Sequence, residues 1–119
     1  MDVHALGTFG EKSAARFLRR NGYRIVDMNY SCRFGEIDII ASKDGFIVFV
    51  EVKLRKNADF AEAREFVSYS KQQRVLKTAQ LWLSTKNCDL QPRFDVIEVY
   101  APKGMLGSVT INHIENAFM

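Results

Sequence analysis

Apolar residues in the first part of the chain recur at the spacing of an α-helix. One apolar stripe, at positions i, i+3 and i+4, contains Ala14, Phe17 and Leu18. Thr8 and Glu11 have the spacing at which a hydroxyl and a carboxylate cap each other's backbone N–H groups at a helix start. Gly22 suits the left-handed position that follows a helix. The pattern predicts a helix that begins near Thr8, or a turn earlier, and ends near Asn21.

The pattern then changes to that of β-strands. Residues 23–30 are rich in β-branched and aromatic types, which favours a first strand. Two further runs of this kind, at about 35–41 and 46–54, are separated by residues 42–45, which end in an Asp-Gly pair. Asp-Gly between two such runs is the strongest short-range indication of a hairpin. Because both runs are almost continuously apolar, we expect two antiparallel strands that are covered on both faces.

The second half of the chain predicts one helix and two strands. Residues 55–68 show no clean period and predict a mobile loop that could contain a helical turn. From Ser70 to residues 86–87 the helical period returns, with apolar positions at Val75, Leu76, Ala79, Trp82 and Leu83. After a break at Gln91-Pro92, residues 94–101 predict a fourth strand. A turn then precedes a fifth strand within 108–118.

These elements follow one another in the order α-β-β-β-α-β, with one extra strand at the end. A helix between the third and fourth strands is the crossover that a parallel pair requires, since parallel neighbours need a connection of a dozen or more residues. We therefore expect one α/β domain over residues 1–119, built on a mixed central sheet.

Composition narrows the class of protein. The chain has 119 residues, of which 47% are hydrophobic, and no run approaches the roughly 18 to 20 apolar residues of a membrane span. A soluble protein without a membrane partner is expected. Cys32 and Cys88 form no CxxC pair, which argues against a zinc ribbon or a redox dithiol and favours reduced thiols. The first twenty residues lack the apolar core of a secretory signal, so we expect a cytoplasmic location.

The net charge of +3 is mildly basic and compatible with a nucleic-acid partner without specifying one. Most basic residues are scattered at positions typical of solvated helix faces. His4 and His113 are isolated and lack the spacing of metal ligands. Trp82 and most phenylalanines fit the core, whereas Phe60 and Phe66 lie in the irregular segment and are candidates for stacking on a base.

Charged residues inside the apolar strands indicate the chemistry. Asp38 precedes the hairpin turn and Glu51 follows it 13 residues later, so an antiparallel hairpin would bring them side by side. Lys53 lies two residues beyond Glu51 and shares its face, and Glu36 shares a face with Asp38 by the same parity. Burial of unpaired charges is costly, so these side chains need partners.

Two interpretations account for these charges. In the structural one, Lys53 forms a partly buried ion pair with Glu51 or Asp38. In the functional one, Asp38 and Glu51 supply oxygen ligands to Mg²⁺, and Lys53 holds or deprotonates the attacking water and faces the charge that develops on the phosphorus centre. Three acids with a single lysine exceed what an ion pair needs, which favours the second interpretation.

The segment Gly35-Glu36-Ile37-Asp38, followed after the hairpin by Glu51-Val52-Lys53, resembles the signature of PD-(D/E)XK nucleases. The wider set of motifs resembles the bacterial YraN family of predicted endonucleases, which is similar to archaeal Holliday-junction resolvases. Over about residues 7–100, this set comprises Gly10-Glu11, Asn29-Tyr30, Cys32-Arg33, the two segments above with Arg55, Lys71-Gln72 and Arg93-Phe94-Asp95.

The resemblance implies a restriction-endonuclease-like fold with an αβββαβ core, Mg²⁺ or Mn²⁺ as cofactor, DNA as partner and a homodimeric assembly. It implies that Asp38 and Glu51 are metal ligands, that Lys53 is the catalytic lysine and that Glu11 is an additional helix carboxylate with catalytic and metal-binding duty. Glu11 has the rival role of the helix cap described above. Ile37 stands where the motif's name has proline, and this leaves the acid at Asp38 in place.

Four further residues are candidates for supporting or phosphate-binding roles. Gln72 belongs to the apolar stripe of the second helix, where it either reaches toward Lys53 or a phosphate, as its counterpart does in some relatives, or is a satisfied structural amide. Lys71 either contacts a phosphate or lies on a solvated face. Arg55 shares the face of Lys53, which favours a phosphate contact, and Glu36 is placed near the site by parity.

The sequence therefore predicts a metal-dependent endonuclease that hydrolyses phosphodiester bonds in DNA, with branched or otherwise structured DNA among its candidate substrates. The alternative is a non-catalytic nucleic-acid-binding or partner-docking module on the same fold. A small-molecule enzyme lacks support, because the chain has no glycine-rich phosphate loop and no Ser/His/Asp set.

Overall fold

The computed structural model describes residues 3–56 and 68–118. Within them the elements are, in chain order, α1 (Val3–Arg20), β1 (Arg24–Cys32), β2 (Gly35–Lys43), β3 (Phe46–Arg55), α2 (Tyr69–Lys86), β4 (Gln91–Tyr100), a short 3-10 helix (Gly104–Leu106) and β5 (Thr110–Ile114). The predicted α-β-β-β-α-β order with an extra strand is confirmed. Most of the segment predicted as a loop, including Phe60 and Phe66, lies outside the described residues.

The five strands form one mixed sheet in the order β1-β2-β3-β4-β5. β1, β2 and β3 are antiparallel neighbours, β3 and β4 are parallel, and β5 is antiparallel to β4. The parallel pair is in register from Phe46 opposite Gln91 to Arg55 opposite Tyr100. The predicted mixed sheet, with α2 as the crossover between its parallel strands, is therefore confirmed.

The turn between β2 and β3 is built as its sequence predicts. Asp44 and Gly45 both have positive φ angles, 52° and 84°, which is the backbone of the tight turn that matches the twist of a hairpin. The paired residues extend from Lys43 opposite Phe46 to Ile39 opposite Val50. This register determines which side chains of the two strands are neighbours.

Helices cover both faces of the sheet, as predicted. One core cluster lies under α1 and includes Leu18, and the other lies under α2 and includes Val75, Ala79 and Trp82. The described central strands contribute to both clusters, with Val48 on the α1 side and Phe49 on the α2 side. None of the helices in the described part of the chain is long and apolar enough to cross a membrane.

One predicted role and one predicted boundary are wrong. α1 begins at Val3, so Thr8 and Glu11 lie inside the helix and the capping role of Glu11 does not stand. β4 begins at Gln91, before the predicted break, and includes Pro92. Proline has no N–H group to donate to a neighbouring strand. It is tolerated at position 92 because β5 pairs with β4 only from Val96 onward, so no strand lies beside Pro92 on the β5 side of β4.

Candidate functional site

Asp38 lies where the pairing of β2 and β3 ends. The last backbone pair is Ile39 with Val50, and one step beyond it the Oδ2 atom of Asp38 accepts a hydrogen bond from the Val52 N–H group at 2.8 Å. The Asp38 carboxylate thus accepts the hydrogen bond that a backbone carbonyl of β2 would otherwise accept from the Val52 N–H group. Strand alternation is also interrupted here, because Ile37 and Ile40 both contribute to the core under α2. The hydrogen bond fixes the Asp38 carboxylate beside the strand that carries Glu51.

Glu51 lies on the α2 side of β3 and is only 2% exposed. Its Oε1 atom lies 3.3 Å from the Nζ atom of Lys71 in an ion pair, and this oxygen makes no hydrogen bond to any described residue. Burial, followed by the charge of Asp38, raises the pKa of Glu51 to about 7, and Lys71 opposes the increase. The ionised form of Glu51 is therefore disfavoured by its burial and by the neighbouring Asp38.

Two lysines flank this carboxylate pair. Lys53 is half-buried on β3, two residues beyond Glu51. Burial and then the positive charge of Lys71 lower the pKa of Lys53, with Glu51 acting in the opposite direction. Its proton is therefore held less tightly than that of an exposed lysine. The structure also brings Lys71 into the site, although the sequence left open whether it faces solvent.

The first turn of α2 provides further positive potential. Ser68 caps this helix and accepts a hydrogen bond from the Lys71 N–H group at 3.3 Å. Lys71 and Gln72 both lie in this turn, and Gln72 is half-buried. The amino-terminal end of a helix carries a partial positive charge, which favours anions nearby. The turn that supplies Lys71 to Glu51 is thus suited to a phosphate group.

Glu98 is a buried carboxylate in this region that the sequence analysis missed. It is 2% exposed on β4, directly opposite Lys53 in the parallel register. Its Oε1 atom accepts hydrogen bonds from Tyr100 at 3.0 Å and Asn112 at 2.9 Å, and its Oε2 atom lies 3.5 Å from the Nε atom of Arg55. A charged residue within an apolar run, on the face shared by Val96, is the pattern that could have predicted it.

The two remaining predicted acids occupy other positions. Glu36 is exposed on β2 and lines a cavity beside α2. Glu11 is half-buried on α1, next to Gly10, which packs against Val52 and Leu54. Among the side chains that the structure describes, those of residues 7–56 and 68–118, no three His, Cys, Asp or Glu form a group suited to a metal ion. The structure brings Asp38 and Glu51 together but does not add Glu11 to them.

A second buried carboxylate, Asp95, lies on the α1 side of the sheet. It accepts two hydrogen bonds from Arg93, at 2.9 and 2.7 Å, one from the Asn116 N–H group at 3.0 Å, and contacts His113 Nε2 at 2.7 Å. Burial alone would raise the pKa of Asp95, but the hydrogen bonds of His113 and Arg93 lower it overall. The partners of Asp95 satisfy both of its oxygens, which is typical of a structural network.

Comparison with known proteins identifies relatives over almost the whole chain. The model of the uncharacterised protein family UPF0102 matches residues 10–99. A UPF0102 protein of Caldanaerobacter subterraneus subsp. tengcongensis is 46% identical, over 95% of this chain and 93% of its own length. UPF0102 proteins of Alkaliphilus oremlandii and Vibrio parahaemolyticus are 44% and 43% identical, over 97% and 90% of their lengths and 95% and 94% of this chain.

Proposed function

The chain belongs to the uncharacterised protein family UPF0102, and from its site we propose that it is a metal-dependent endonuclease that hydrolyses phosphodiester bonds in DNA. The proposal also assigns the fold to the restriction-endonuclease-like, PD-(D/E)XK type. In this fold type the protein resembles the YraN family and archaeal Holliday-junction resolvases. The order of its elements and the placement of Asp38 and Glu51-Val52-Lys53 on adjacent strands support this assignment.

The observation that carries the proposal is the Asp38 and Glu51 pair. Two carboxylates lie together, and the buried Oε1 atom of Glu51 is in an ion pair with Lys71 at 3.3 Å but makes no hydrogen bond of good geometry with a described residue. Oxygen donors of this kind suit Mg²⁺ or Mn²⁺, which take one or two carboxylates and complete their coordination with water and phosphate oxygens. The residues present therefore fit a divalent ion held by Asp38 and Glu51, without requiring a third protein ligand.

The protein's own groups have distinct roles in this proposal. A bound ion would supply Lewis-acid chemistry and a more acidic water molecule. Lys53, whose pKa is lowered, orients the attacking water and faces the negative charge that develops on the phosphate. Lys71 and the first turn of α2 attract the phosphate to the site. Glu98 forms an ion pair with Arg55, which fixes this positive charge near Lys53 on the face where the phosphates of the DNA would lie.

A second candidate is the non-catalytic module that binds nucleic acid or docks a partner. The observation that favours it is the ion pair between Lys71 and Glu51, because the buried carboxylate already has a cationic partner in the protein. In that case the charges would have a structural role, and DNA would bind to a surface that does not depend on Asp38.

A cleavage assay separates the two candidates. The protein is incubated with labelled duplex, nicked, flapped, branched and single-stranded DNA, with Mg²⁺, with Mn²⁺ or with EDTA. We expect cleavage of at least one of these structures that requires the metal and is lost in Asp38→Asn and Glu51→Gln. Asp44→Asn is the matched control, since asparagine also tolerates the positive φ of the hairpin turn. Equal cleavage by the Asp38 and Asp44 variants, or no cleavage of any of these DNAs, would contradict the proposal.

A further inference from the structure

A cavity of about 400 Å³ lies between the turn that joins β1 to β2 and the first half of α2. Its volume falls within the range of roughly 300 to 1,000 Å³ that is typical of small-molecule sites. Lys71 lines this cavity and also contacts Glu51, at 3.3 Å, so the cavity and the proposed site share a side chain. A group bound in the cavity would therefore be a near neighbour of the group bound at Glu51.

The charges that line the cavity suit an anion. Arg33, Lys71 and Arg74 contribute three positive charges, whereas Glu36 contributes one negative charge. Arg33 and Arg74 are exposed, so their guanidinium groups can reach a ligand without the loss of a buried partner. Planar guanidinium groups bind phosphate oxygens in pairs, which makes a phosphate-bearing ligand the best match.

The cavity also contains a planar apolar surface. Phe34 lines it, and the Arg33 guanidinium lies 4.8 Å from the centre of the Phe34 ring. Phe34 is half-buried and belongs to neither of the two core clusters. An aromatic ring stacked with an arginine, beside further cations, is the combination that binds an unpaired nucleobase together with its phosphate.

Gly35 fixes the turn that presents Phe34. Its φ angle of 149° lies in a region that is available almost solely to glycine. A Cβ atom on Gly35 would lie 3.5 Å from Thr78 Oγ1 and 3.6 Å from Arg74 Cβ, so the turn backbone packs closely on α2. The wall of the cavity that contains Phe34 is therefore held against the helix.

We propose that this cavity binds an unpaired nucleotide of the DNA substrate, next to the phosphodiester that is cleaved. This inference rests on the proposed nuclease function and specifies its substrate class: DNA with a single-stranded, flapped or extruded nucleotide at the cleavage position. A base within a continuous duplex keeps its pairing partner and its stacking neighbours, and it cannot enter a cavity of this size unless it leaves the helix.

Binding measurements on two DNAs test the proposal. Both are labelled duplexes of the same length, one continuous and one with a single-stranded flap, titrated by fluorescence anisotropy in Ca²⁺. We expect the wild type to prefer the flapped DNA by roughly tenfold or more, the scale of one stacked base. Phe34→Ala and Arg74→Gln should reduce this preference, Phe34→Tyr should keep it, and Arg20→Gln on α1 is the control that should leave it unchanged.

Alkylation of the two cysteines locates the bound nucleotide. Cys32 is half-buried and lines the cavity, with its Sγ atom 3.8 Å from Thr78 Oγ1, whereas Cys88 is half-buried beyond the end of α2, about 15 Å farther along the helix direction. A short oligothymidylate should slow the reaction of iodoacetamide with Cys32 and leave the rate at Cys88 unchanged. Equal protection of both thiols, or of neither, would overturn the assignment of the cavity.

The outcomes distinguish this inference from the proposed function. Equal affinity for the two DNAs, with Mn²⁺ binding that still depends on Asp38, would overturn the nucleotide cavity and leave the nuclease proposal standing. A preference for the flapped DNA that depends on Phe34, without Mn²⁺ binding by Asp38 and Glu51, would contradict the nuclease and show that the cavity serves a binding module. Thermal unfolding of each variant verifies that the fold is intact.

Discussion

At the scale of single residues, Glu51 is the most informative side chain. Burial and the neighbouring Asp38 charge both favour its protonated form and raise its pKa from 4.5 to about 7. A proton and a divalent cation would then compete for the same oxygens near neutral pH. A buried ion pair is often no more stabilising than well-packed neutral residues, so stability alone gives little reason for a carboxylate at this position.

The raised pKa of Glu51 predicts how stability depends on pH. In the folded protein Glu51 binds its proton more tightly than in the unfolded chain, so the associated stability is present below about pH 4.5 and is lost as the pH rises to about 7. We expect Glu51→Gln to be more stable than the wild type at pH 8 in EDTA, by up to about 3 kcal/mol, and equally stable near pH 4. Urea denaturation at the two pH values measures the difference.

Glu115→Gln is the control for this experiment, because Glu115 has a side chain that is 60% exposed. It should change the free energy of unfolding little at either pH. A Glu51→Gln protein that is less stable than the wild type at pH 8 would show that the ion pair with Lys71 stabilises the fold, in agreement with a structural role for these charges.

Lys53→Met tests the role of the half-buried lysine. Removal of a positive charge near the carboxylates should leave Mn²⁺ affinity unchanged or increase it, whereas cleavage should fall by roughly 10²- to 10³-fold, the scale for one preorganised charged group. Calorimetric titration and single-turnover cleavage measure the two effects separately. Lys77→Met, an exposed lysine of α2, should change neither. Normal cleavage by the Lys53 variant would assign this residue to structure.

The residues of the site were predictable to different extents. Glu51 and Lys53 follow from the two-residue period of β3, and Asp38 follows from the short hairpin that brings it beside Glu51, although the alternation of β2 is interrupted there. The contact of Lys71 with Glu51 depends on where α2 packs after a long connection. The position of Glu98 opposite Lys53 depends on the parallel register of β3 and β4. No short-range sequence pattern encodes the packing of α2 or this register.

At the scale of elements, the β2–β3 hairpin determines the geometry of the site. Its turn fixes the register, and this register brings Asp38 next to Val52 and Glu51. The apolar pairs between the turn and the site, such as Ile39 with Val50, support the same register because a slip by one residue would reverse the faces of the strand. We therefore expect the site to survive moderate strain in the turn.

Gly45→Ala in the turn tests this expectation, and Gly7→Ala in α1 is a separate glycine substitution away from the turn. Gly45→Ala places a Cβ atom at a φ of 84° and should destabilise the protein by about 1 to 2 kcal/mol, with Mn²⁺ affinity unchanged. Gly7→Ala, inside α1 with no atom within 4 Å of the new Cβ, should stabilise it by about 0.5 to 1 kcal/mol. Denaturant unfolding and calorimetry check both. A loss of Mn²⁺ affinity in Gly45→Ala would show that the turn, rather than the strand core, holds the register.

The elements themselves were largely predictable from local patterns, and the exceptions have physical causes. α1 takes the earlier of its two predicted starts, at Val3, so Thr8 lies inside it and is no cap. Pro92 was interpreted as a break because proline removes a strand hydrogen bond, yet β5 does not extend far enough to need that bond. Strand pairing beyond the hairpin is a property of the assembled sheet.

At the scale of the whole molecule, the sheet separates two kinds of buried acid. On the α1 side, Asp95 has hydrogen-bonding partners for both oxygens. On the α2 side, one buried oxygen of Glu51 and one of Glu98 lack a hydrogen bond from the described residues. The first arrangement is complete as a structure. The second relies on ion pairs with Lys71 and Arg55, at 3.3 and 3.5 Å, in place of hydrogen bonds.

The central claim is that Asp38 and Glu51 hold a divalent ion that allows DNA to bind. Without the ion, the two carboxylates would repel a phosphate, since like charges 4 Å apart interact by about 4 kcal/mol at an effective dielectric constant near 20. Ca²⁺ has the same preference for oxygen ligands as Mg²⁺ and should support binding. Asp38→Asn removes one ligand and one repulsive charge together.

Fluorescence-anisotropy titrations of flapped DNA at fixed ionic strength and pH 8 test this claim most directly. The wild type and Asp38→Asn are each titrated in EDTA and in Ca²⁺, with Asp44→Asn as control. We predict that Ca²⁺ tightens binding by the wild type and the control, that Asp38→Asn loses most of this effect, and that Asp38→Asn binds better than the wild type in EDTA. Superimposable curves for the wild type and Asp38→Asn in both conditions would contradict the claim.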